Sequence, residues 1–453
     1  MRSRARVLSS IQASDLEYND GISHYLSSNS EVSKCVVEPG SAEDVSKILR
    51  ILGRTRTQFA VKGGGHAFNP GFSSTPGVQI YMRRFSSIHY DAEAQTVEIG
   101  IGLLWDDVYA ALAPFGVNVV GSRSKGIGVA GPALGGGLSF KSNQYGLTVD
   151  TVTSYKLVKP EGQIVTVNSA SDSDLFFGLK GGLNNFGIVT TFTLKTFPQT
   201  QVWGGVITFV PTELSKVNEA VSFFSSEVKD PRAMINLAYI SIMGSIIPAA
   251  HIFYDGPTPP TGTFDRFLSI STLTSDVKTR SFLDFFQVGD ANATIPRGRS
   301  HTLSLQAFTP NIVETIVEQA QFWGSKLATQ SGTMVVYVLE PFLPDAFNRS
   351  KSATAFPPNR SPAFLPLEAI FEWTSPSSDH IFINAIKESI GNITAAAVEQ
   401  GQSLVPSLPI YGNYAIDNIP LEQIYGQNVP RLKALKARID PCNVMGLAGG
   451  FKF

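Results

Sequence analysis

The chain has 453 residues, of which 43% are hydrophobic and 16% charged, a composition typical of a globular protein large enough to form two lobes. Its 36 basic and 37 acidic residues leave a net charge of -1, which excludes the basic excess of nucleic-acid-binding proteins. The basic opening Met1 to Val7 has no apolar segment behind it, and the apolar stretch 240–253 is too short to cross a bilayer. We therefore expect neither a signal peptide nor a membrane anchor in the chain as given. On this ground we expect an intracellular protein, with the location otherwise uncertain.

The first hundred residues predict a helix, a strand and a ligand loop. Ser41 to Asp44 has the form of a capping box, and the apolar pattern behind it carries a helix to Gly53. A strand over residues 59–61 then ends in Gly63-Gly64-Gly65-His66. Because glycine has no Cβ, three in succession let backbone N–H groups approach an anionic ligand, with His66 fixed beside it.

Strand and helix patterns continue to interleave up to about residue 200. Residues 97–101 alternate as a half-buried strand, and residues 103–112 form a helical pattern closed by Pro114 and Gly116. This order predicts an α+β or α/β lobe for the first part of the chain.

The middle of the chain has a different pattern. From residue 201 to 405, strand-like runs alternate with longer helices such as 312–327. The Pro- and Ser-rich segment 351–364 predicts a surface loop. Near the end, a short helix stops at Pro441.

Gly126 to Gly131 matches the pattern G-x-G-x-x-G, with Asp150 about 20 residues further on. A nicotinamide-dinucleotide loop needs a strand before it and a helix directly after it. Residues 121–125 do not read as a strand, and Gly135 to Gly137 disfavour a helix, since three glycines in a helical turn cost about 3 kcal/mol relative to alanine. We interpret this cluster as a second backbone wall for a flat ligand, and residues 179–189 as a third glycine-rich turn.

The sequence indicates neither a disulfide framework nor a metal site. Cys35 and Cys442 lie near opposite ends of the chain and predict two free thiols. The six histidines are scattered and lack metal-ligand spacing.

The glycine loops and the C-terminal pattern together resemble the FAD-linked oxidases of the vanillyl-alcohol oxidase class. The resemblance is greatest to the berberine-bridge-enzyme-like branch of fungal secondary metabolism. It is carried by residues 61–66, 127–137, 145–150, 174–176, 181–189, 411–414 and 432–444.

The resemblance implies an α+β, two-lobed PCMH-type FAD-binding fold. Residues 1–200 would form an FAD-binding domain of two α+β subdomains. Residues 201–405 would form a substrate cap with an antiparallel sheet flanked by helices, and residues 406–453 would return to the FAD domain.

The resemblance also implies how FAD is held. His66 would carry the flavin through a bond to its 8α-methyl group, and the glycines before it would hold the pyrophosphate. Many members attach the flavin a second time through a cysteine, where this chain has Ser124, so we expect a single link. Gly187 and Val189 would line the adenine end, and Asn413 would close over the ring system. The expected FAD contacts are Lys62, Gly63, Gly64, Gly65, His66, Gly71, Gly121, Ser124, Ile127, Gly128, Val129, Gly131, Gly136, Gly137, Gly146, Asp150, Gly187, Val189 and Asn413.

The implied reaction is hydride transfer from a substrate C–H bond to the flavin, with O2 as the electron acceptor and H2O2 as the product. Ile127 aligns with the position that controls oxygen access, and its β-branch favours an oxidase over a dehydrogenase. We expect a monomer that acts on a small secondary-metabolite alcohol, amine or C–H bond. The alternatives are a flavin-bound cyclase with little net redox change, a carbohydrate oxidase and an NAD-dependent dehydrogenase. Most of the aromatic residues of the cap are expected in the core, whereas a few are expected to line an apolar pocket, which favours an apolar substrate over a sugar: Phe282, Phe285, Phe286, Phe356 and Phe364.

Three residues are candidates for the base that takes the substrate proton. Tyr414 matches a tyrosine used as the base in several relatives, although a packed tyrosine with a satisfied hydroxyl fits equally well. Glu340 follows an apolar run and would face the site if that run belongs to the cap sheet; the alternative is a solvated carboxylate. Tyr411 is the third candidate.

Overall fold

The computed structural model describes residues 6–9, 16–288, 295–350 and 352–453. The start of the basic opening, Met1 to Ala5, and Lys351 of the predicted loop lie outside these ranges. Among these residues, two sheets, a short ribbon and several helices precede residue 200, and one large sheet with the two longest helices follows.

The first sheet holds the strand that leads into the triple-glycine loop. Its strands are β1 (Arg6–Ser9), β2 (Cys35–Glu38), β3 (Phe59–Lys62) and β4 (Val78–Tyr81), in the order β1-β2-β4-β3. The helices α1 (Leu16–Ile22) and α2 (Ala42–Thr55) lie in this region. β2, β4 and β3 are parallel, whereas β1 runs antiparallel to β2.

The capping prediction for α2 is confirmed, because the Asp44 amide donates to Ser41 Oγ at 3.2 Å. The reciprocal contact is displaced by one residue, since the Asp44 carboxylate accepts from the Gly40 amide. The helix continues past Gly53 to Thr55 and ends on Arg56 in the left-handed conformation. At Gly53, a Cβ would lie 3.1 Å from a Val444 methyl group, so close packing explains this glycine better than helix termination does.

The second sheet is antiparallel and lies in the order β5-β6-β10-β8-β9, while β7 and β11 pair as a separate ribbon. The strands are β5 (Ile88–Asp91), β6 (Thr96–Gly100), β7 (Val117–Asn118), β8 (Val152–Val158), β9 (Ile164–Val167), β10 (Ile188–Lys195) and β11 (Phe197–Pro198). The helices are α3 (Trp105–Leu112), α4 (Ala130–Gly135), α5 (Ser142–Tyr145), α6 (Thr148–Thr151) and α7 (Ser173–Leu179).

The large antiparallel sheet has the order β15-β12-β14-β13-β18-β19-β17, with β16 paired to β12. Its strands are β12 (Val202–Phe209), β13 (Ala233–Ile242), β14 (Ser245–Tyr254), β15 (Thr272–Ser275), β16 (Lys278–Arg280), β17 (Arg297–Leu305), β18 (Gly332–Leu339) and β19 (Leu365–Trp373). The remaining helices are α8 (Leu214–Glu227), α9 (Asp265–Leu268), α10 (Phe282–Phe286), α11 (Pro310–Ala328), α12 (Asp379–Glu399), α13 (Leu421–Tyr425) and α14 (Val429–Ile439).

The helices α11 and α12 cover one face of the large sheet. Successive side chains of a strand point to opposite faces, so Leu367, Ala369 and Phe371 of β19 lie on the side covered by α11 and α12. The alternate residues of β19 face the opposite side. The α+β fold with an antiparallel cap sheet flanked by helices is therefore confirmed.

The chain passes from the ribbon of the first part to the large sheet near residue 200, which supports the predicted domain boundary there. β11 ends at Pro198 in the ribbon of the first part, and β12 begins at Val202 in the large sheet. We propose the first boundary between them. The C-terminal segment contacts the first part again, because the carbonyl oxygens of Gly449 and Phe451 accept hydrogen bonds from Asn184 and Asn185.

The prediction that 351–364 is a surface loop is wrong for its middle. Phe356 is 1% exposed, and a Cβ on Gly181 would lie 2.5 Å from the Phe356 amide nitrogen. Arg360 also forms a salt bridge with the buried Asp150. Apolar burial and a buried countercharge override the turn-forming composition here.

The five cap phenylalanines are buried core residues, and an apolar substrate pocket formed by some of them stays a prediction. Phe282 and Phe286 pack edge-on against Tyr109, and Phe285 packs against Phe140. Within the described ranges, none of the helices combines the length and apolar character needed to span a bilayer. Cys35 and Cys442 are both free.

Candidate active site

A cavity of about 910 Å³ lies between the glycine loops and the large sheet, within the usual size range of cofactor and substrate sites. Many of the predicted cofactor residues line it: Gly63, Gly64, Gly65, His66, Ser124, Ile127, Gly128, Gly131, Gly187, Val189 and Asn413. Tyr411 and Tyr414 also line the wall. The structure thus brings three separate glycine-rich segments to one cavity.

The first two glycine loops touch backbone to backbone. A Cβ on Gly64 would lie 2.4 Å from the Gly128 amide nitrogen, and a Cβ on Gly128 would lie equally close to the Gly64 nitrogen. The second loop is fixed in turn by hydrogen bonds from the Trp105 amide to the Ile127 carbonyl and from the Val129 amide to the Leu103 carbonyl, both at 3.0 Å. Side chains at Gly64 or Gly128 would force the two loops apart.

A helix does follow the second loop, contrary to the sequence prediction. α4 starts at Ala130 and ends at Gly135, so the glycine run lies at its C-terminal end rather than in its first turn. Gly136 and Gly137 both have positive φ, as a helix-ending glycine requires. The segment before the loop contains no strand after Asn118, so the βαβ context of a nicotinamide-dinucleotide loop is missing from the described residues.

His66 is held at the cavity wall by stacking and burial. Its ring lies 4.4 Å from that of Tyr25 at an angle of 18°, and the Tyr25 amide donates to the Gly65 carbonyl at 3.1 Å. Burial lowers the pKa of His66 to about 4. The imidazole is therefore neutral near pH 7 and has a nitrogen lone pair available.

Tyr411 fixes Asn413 and the glycine wall. Its hydroxyl accepts hydrogen bonds from the Gly137 amide at 3.0 Å and from Asn413 Nδ2 at 2.8 Å, and burial raises its pKa to about 12. Asn413 also donates to the Gly131 carbonyl, and a Cβ on Gly135 would lie 2.3 Å from Asn413 Oδ1. With two donors on its oxygen, Tyr411 positions Asn413 and has little capacity to take a substrate proton.

Tyr414 belongs to a buried charged network that includes Arg123. Arg123 Nη2 donates to the Tyr414 hydroxyl at 2.6 Å and also to Glu340 Oε1. Arg123 Nη1 donates to Asn236 Oδ1 at 2.9 Å, and the Tyr414 hydroxyl donates to Glu340 Oε1 at 3.1 Å. Tyr414 and Arg123 line the cavity, whereas Glu340 lies behind them.

The solvated alternative for Glu340 is wrong, because the residue is 1% exposed. Burial raises its pKa, and Arg123 opposes that shift. Burial likewise raises the pKa of Tyr414 well above 10, again opposed by Arg123. Glu340 Oε2 has no hydrogen-bond partner among the described residues, so this carboxylate retains an unused acceptor.

The sequence did not reveal two further carboxyl groups in the cavity wall. Glu368 and Glu372 lie on β19 on either side of Ile370, and all three line the cavity. Burial raises the pKa of Glu368 well above its usual value and that of Glu372 to about 7. These two glutamates are four residues apart in the otherwise apolar run 365–373, and this spacing could have indicated carboxyl groups on one face of a buried strand.

The other predicted cofactor residues lie outside the cavity wall. Lys62 Nζ donates to the Asp20 carbonyl at 2.6 Å and lies over the Tyr81 ring, while the Asp150 carboxylate accepts a 2.6 Å bond from Arg360. Most glycines of this group make room for neighbours, as Gly136 does for Phe356, whereas Gly71 has open space and a positive φ. The group consists of Lys62, Gly71, Gly121, Val129, Gly136, Gly137, Gly146 and Asp150.

Comparison with known proteins identifies the family. Residues 33–168 match the FAD binding domain family, and residues 410–448 match the family described as berberine and berberine like. An FAD-linked oxidoreductase of Arthroderma benhamiae is 30% identical over 441 residues, which cover 92% of this chain and 87% of that protein. The chain belongs to the berberine-like family of FAD-linked oxidoreductases.

Other relatives of this oxidoreductase agree with the assignment. The FAD-dependent monooxygenase drtC of Aspergillus calidoustus is 30% identical, with 97% of this chain and 86% of that protein covered. Two solved structures share the fold. The first is 6-hydroxy-D-nicotine oxidase from Arthrobacter nicotinovorans, which is 20% identical with a TM-score of 0.80, over 98% of this chain and 96% of that chain. The second is aclacinomycin oxidoreductase, which is 20% identical with a TM-score of 0.79, over 98% of both chains. The resemblance seen in the sequence is confirmed.

The cavity of this oxidoreductase fits FAD. Its glycine loops bring main chain to the cavity wall, and backbone N–H groups of such loops bind anionic phosphates. His66 faces the same cavity in its neutral form. Cys35 and Cys442 do not line it, and Ser124 stands in the wall. Among the described residues, no three His, Cys, Asp or Glu side chains converge as metal ligands would.

Proposed function

We propose that this oxidoreductase oxidises a small organic alcohol, amine or C–H bond by hydride transfer to an FAD that is bonded to His66 alone. When bound, FAD accepts a hydride from a substrate C–H bond and passes the two electrons to O2, which leaves as H2O2. The arrangement of Tyr414, Arg123 and Glu340 at the cavity wall carries the proposal, because it joins a cavity-facing hydroxyl to a buried proton acceptor.

The Tyr414 hydroxyl transfers the substrate proton to Glu340. As the substrate O–H or N–H proton moves to Tyr414 Oη, the proton already on Tyr414 moves to Glu340 Oε1 along the existing 3.1 Å hydrogen bond. Tyr414 is neutral before and after this step, so no isolated phenolate forms despite its raised pKa. Arg123 contacts both oxygens and stabilises the negative charge between them.

His66, Ser124 and Ile127 support the other parts of the proposal. The neutral imidazole supplies a nucleophilic nitrogen beside the second glycine loop, where a Cβ on Gly126 would lie 3.2 Å from Nε2. Ser124 replaces the thiol that a second link would need. Ile127 lies in the cavity wall, where its β-branch favours oxygen access.

Anaerobic mixing with a panel of secondary-metabolite alcohols and amines tests the proposal. Substrate turnover should bleach the flavin, and admitting air should restore the colour with one H2O2 per product. A product heavier by one oxygen atom, without H2O2, would instead indicate monooxygenation, the activity for which the A. calidoustus relative is named. Turnover without bleaching would contradict hydride transfer and indicate ring closure.

The matched variants Tyr414→Phe and Tyr411→Phe test the base, because their rings lie 4.8 Å apart and nearly perpendicular. Tyr414→Phe should slow flavin reduction about 100- to 10,000-fold while flavin remains bound. Tyr411→Phe should retain most of the reduction rate, since its hydroxyl only accepts bonds from Gly137 and Asn413. Equal losses in the two variants would contradict the assignment of Tyr414.

A further inference from the structure

Glu372 is a buried carboxyl group that faces the cavity without a partner. It is 7% exposed and lines the cavity wall. Its cross-strand neighbours on the same face are Gly298 of β17 and Met334 of β18, neither of which carries a charge. Within the described ranges, Glu372 forms no hydrogen bond or ion pair.

The two other glutamates on this face differ from Glu372 because each has a cation in reach. Glu340 is in contact with Arg123, and Arg123 also acts electrostatically on Glu368. For Glu372 the burial of the carboxyl group is the cause of its raised pKa. Buried charges in proteins are normally paired, and an unpaired one is costly. A cation from a ligand would supply the missing partner.

The positions of Glu368 and Glu372 along β19 define two ends of one cavity wall. Glu368 lies at the end occupied by Arg123, Glu340 and Tyr414, since both Arg123 and Glu340 influence it. Glu372 is four residues further, which corresponds to about 13 Å along a strand. Ile370 lies between them and gives the wall an apolar middle.

We propose that Glu372 binds a cationic nitrogen of the substrate, at the opposite end of the molecule from the group that Tyr414 deprotonates. The substrate class is an elongated, mainly apolar alcohol or amine that carries a second, basic nitrogen at the end of the molecule away from its reacting group. This inference rests on the proposed function, because it places the reacting end at Tyr414. It adds a recognition site that acts in binding and not in the transfer of hydride or proton.

Binding of a matched ligand pair to the flavin-loaded enzyme tests the site without turnover. The probes are 6-phenylhexylamine, which is cationic at neutral pH, and 6-phenylhexan-1-ol, which has nearly the same shape and no charge. Affinity is measured by isothermal titration calorimetry and by the change in flavin absorbance. The wild-type enzyme should bind the amine at least about tenfold more tightly than the alcohol, as a charge-assisted hydrogen bond in a buried site provides.

Two variants on the same strand locate the cation. Glu372→Gln should lower amine affinity about 10- to 100-fold and leave alcohol affinity unchanged, whereas Glu368→Gln should preserve the preference for the amine. Loss of the preference in Glu368→Gln alone would overturn the inference, as would equal binding of the two probes or no binding of either. Tighter binding of the alcohol would indicate that Glu372 is protonated and donates to a neutral oxygen, which also overturns it. Failure of the proposed function is separate, because it appears as an absent or unreactive flavin.

Discussion

Replacing Arg123 with glutamine removes the cation that donates to both Tyr414 and Glu340. With the guanidinium charge about 4 Å from the carboxylate and an effective dielectric constant of about 20, the lost interaction is worth about 4 kcal/mol. Water that enters the variant screens part of this loss. Because one pKa unit corresponds to about 1.4 kcal/mol, we expect the pKa of the proton acceptor to change by at least about one unit.

The direction of the change follows from the charges. Glu340 accepts the proton only when it is ionised, and burial raises its pKa while Arg123 lowers it. Without Arg123 the carboxyl group keeps its proton to higher pH, so the rising limb of kcat/KM moves to higher pH. The neighbouring Glu368, whose pKa is itself raised by burial and by Glu340, does not oppose this direction.

The assay is the pH dependence of kcat/KM, corrected for the flavin content of each preparation. Arg123→Lys is the matched control, since it keeps the charge but cannot hold Asn236, Glu340 and Tyr414 together in the same geometry. It should give a smaller displacement in the same direction. An unchanged limb in Arg123→Gln, or a limb at lower pH, would refute the transfer of the proton from Tyr414 to Glu340.

Three further predictions concern the cofactor loops, the core and oxygen access. Gly64→Ala should lose most of its FAD, as measured by flavin absorbance, because the new Cβ would lie 2.4 Å from the Gly128 nitrogen. The control Gly391→Ala in α12 should retain its FAD, because a Cβ there meets open space. Phe356→Ala should lose about 3–5 kcal/mol of unfolding free energy in urea denaturation, compared with about 0.5 kcal/mol for the half-exposed Phe322. In stopped-flow reoxidation by O2, Ile127→Leu should react more slowly than Ile127→Val. A reversed order in any of these pairs would contradict the corresponding argument.

Local patterns predicted the parts of the site that a single segment builds. The strand over residues 59–61, the loop that ends in His66 and the turn before Gly187 are each marked by residues adjacent in sequence, and all of them reach the cavity. The capping of α2 by Ser41 is similarly local. Short-range chemistry of glycine and of helix caps is readable from sequence.

The charged network was not predictable because its members are far apart in the chain. Arg123 and Glu340 are 217 residues apart, and Arg123 and Tyr414 are 291 apart. Nothing in the sequence around Arg123 indicates its partners. The same reason left both interpretations of Glu340 open, because its burial could be judged only after the cap sheet had been placed over the glycine loops.

Composition misled where burial decides the structure. Phe356 lies in a Pro- and Ser-rich segment typical of a loop, yet it packs against Gly136, Gly181 and Tyr411. The phenylalanines of α10 likewise pack against Tyr109 and Phe140. Aromatic residues in a cap are core residues unless their position says otherwise.

The proposed attachment of the flavin to His66 is tested most directly by mass spectrometry of the proteolysed, acid-denatured enzyme. We predict that the precipitated protein stays yellow and that the peptide containing His66 is heavier by one FAD. His66→Ala should release its flavin on denaturation. His24→Ala should keep it, because His24 does not line the cavity and is hydrogen-bonded to Ser73. Flavin that remains bonded in His66→Ala, or a wild-type protein that releases all of its colour, would contradict the account.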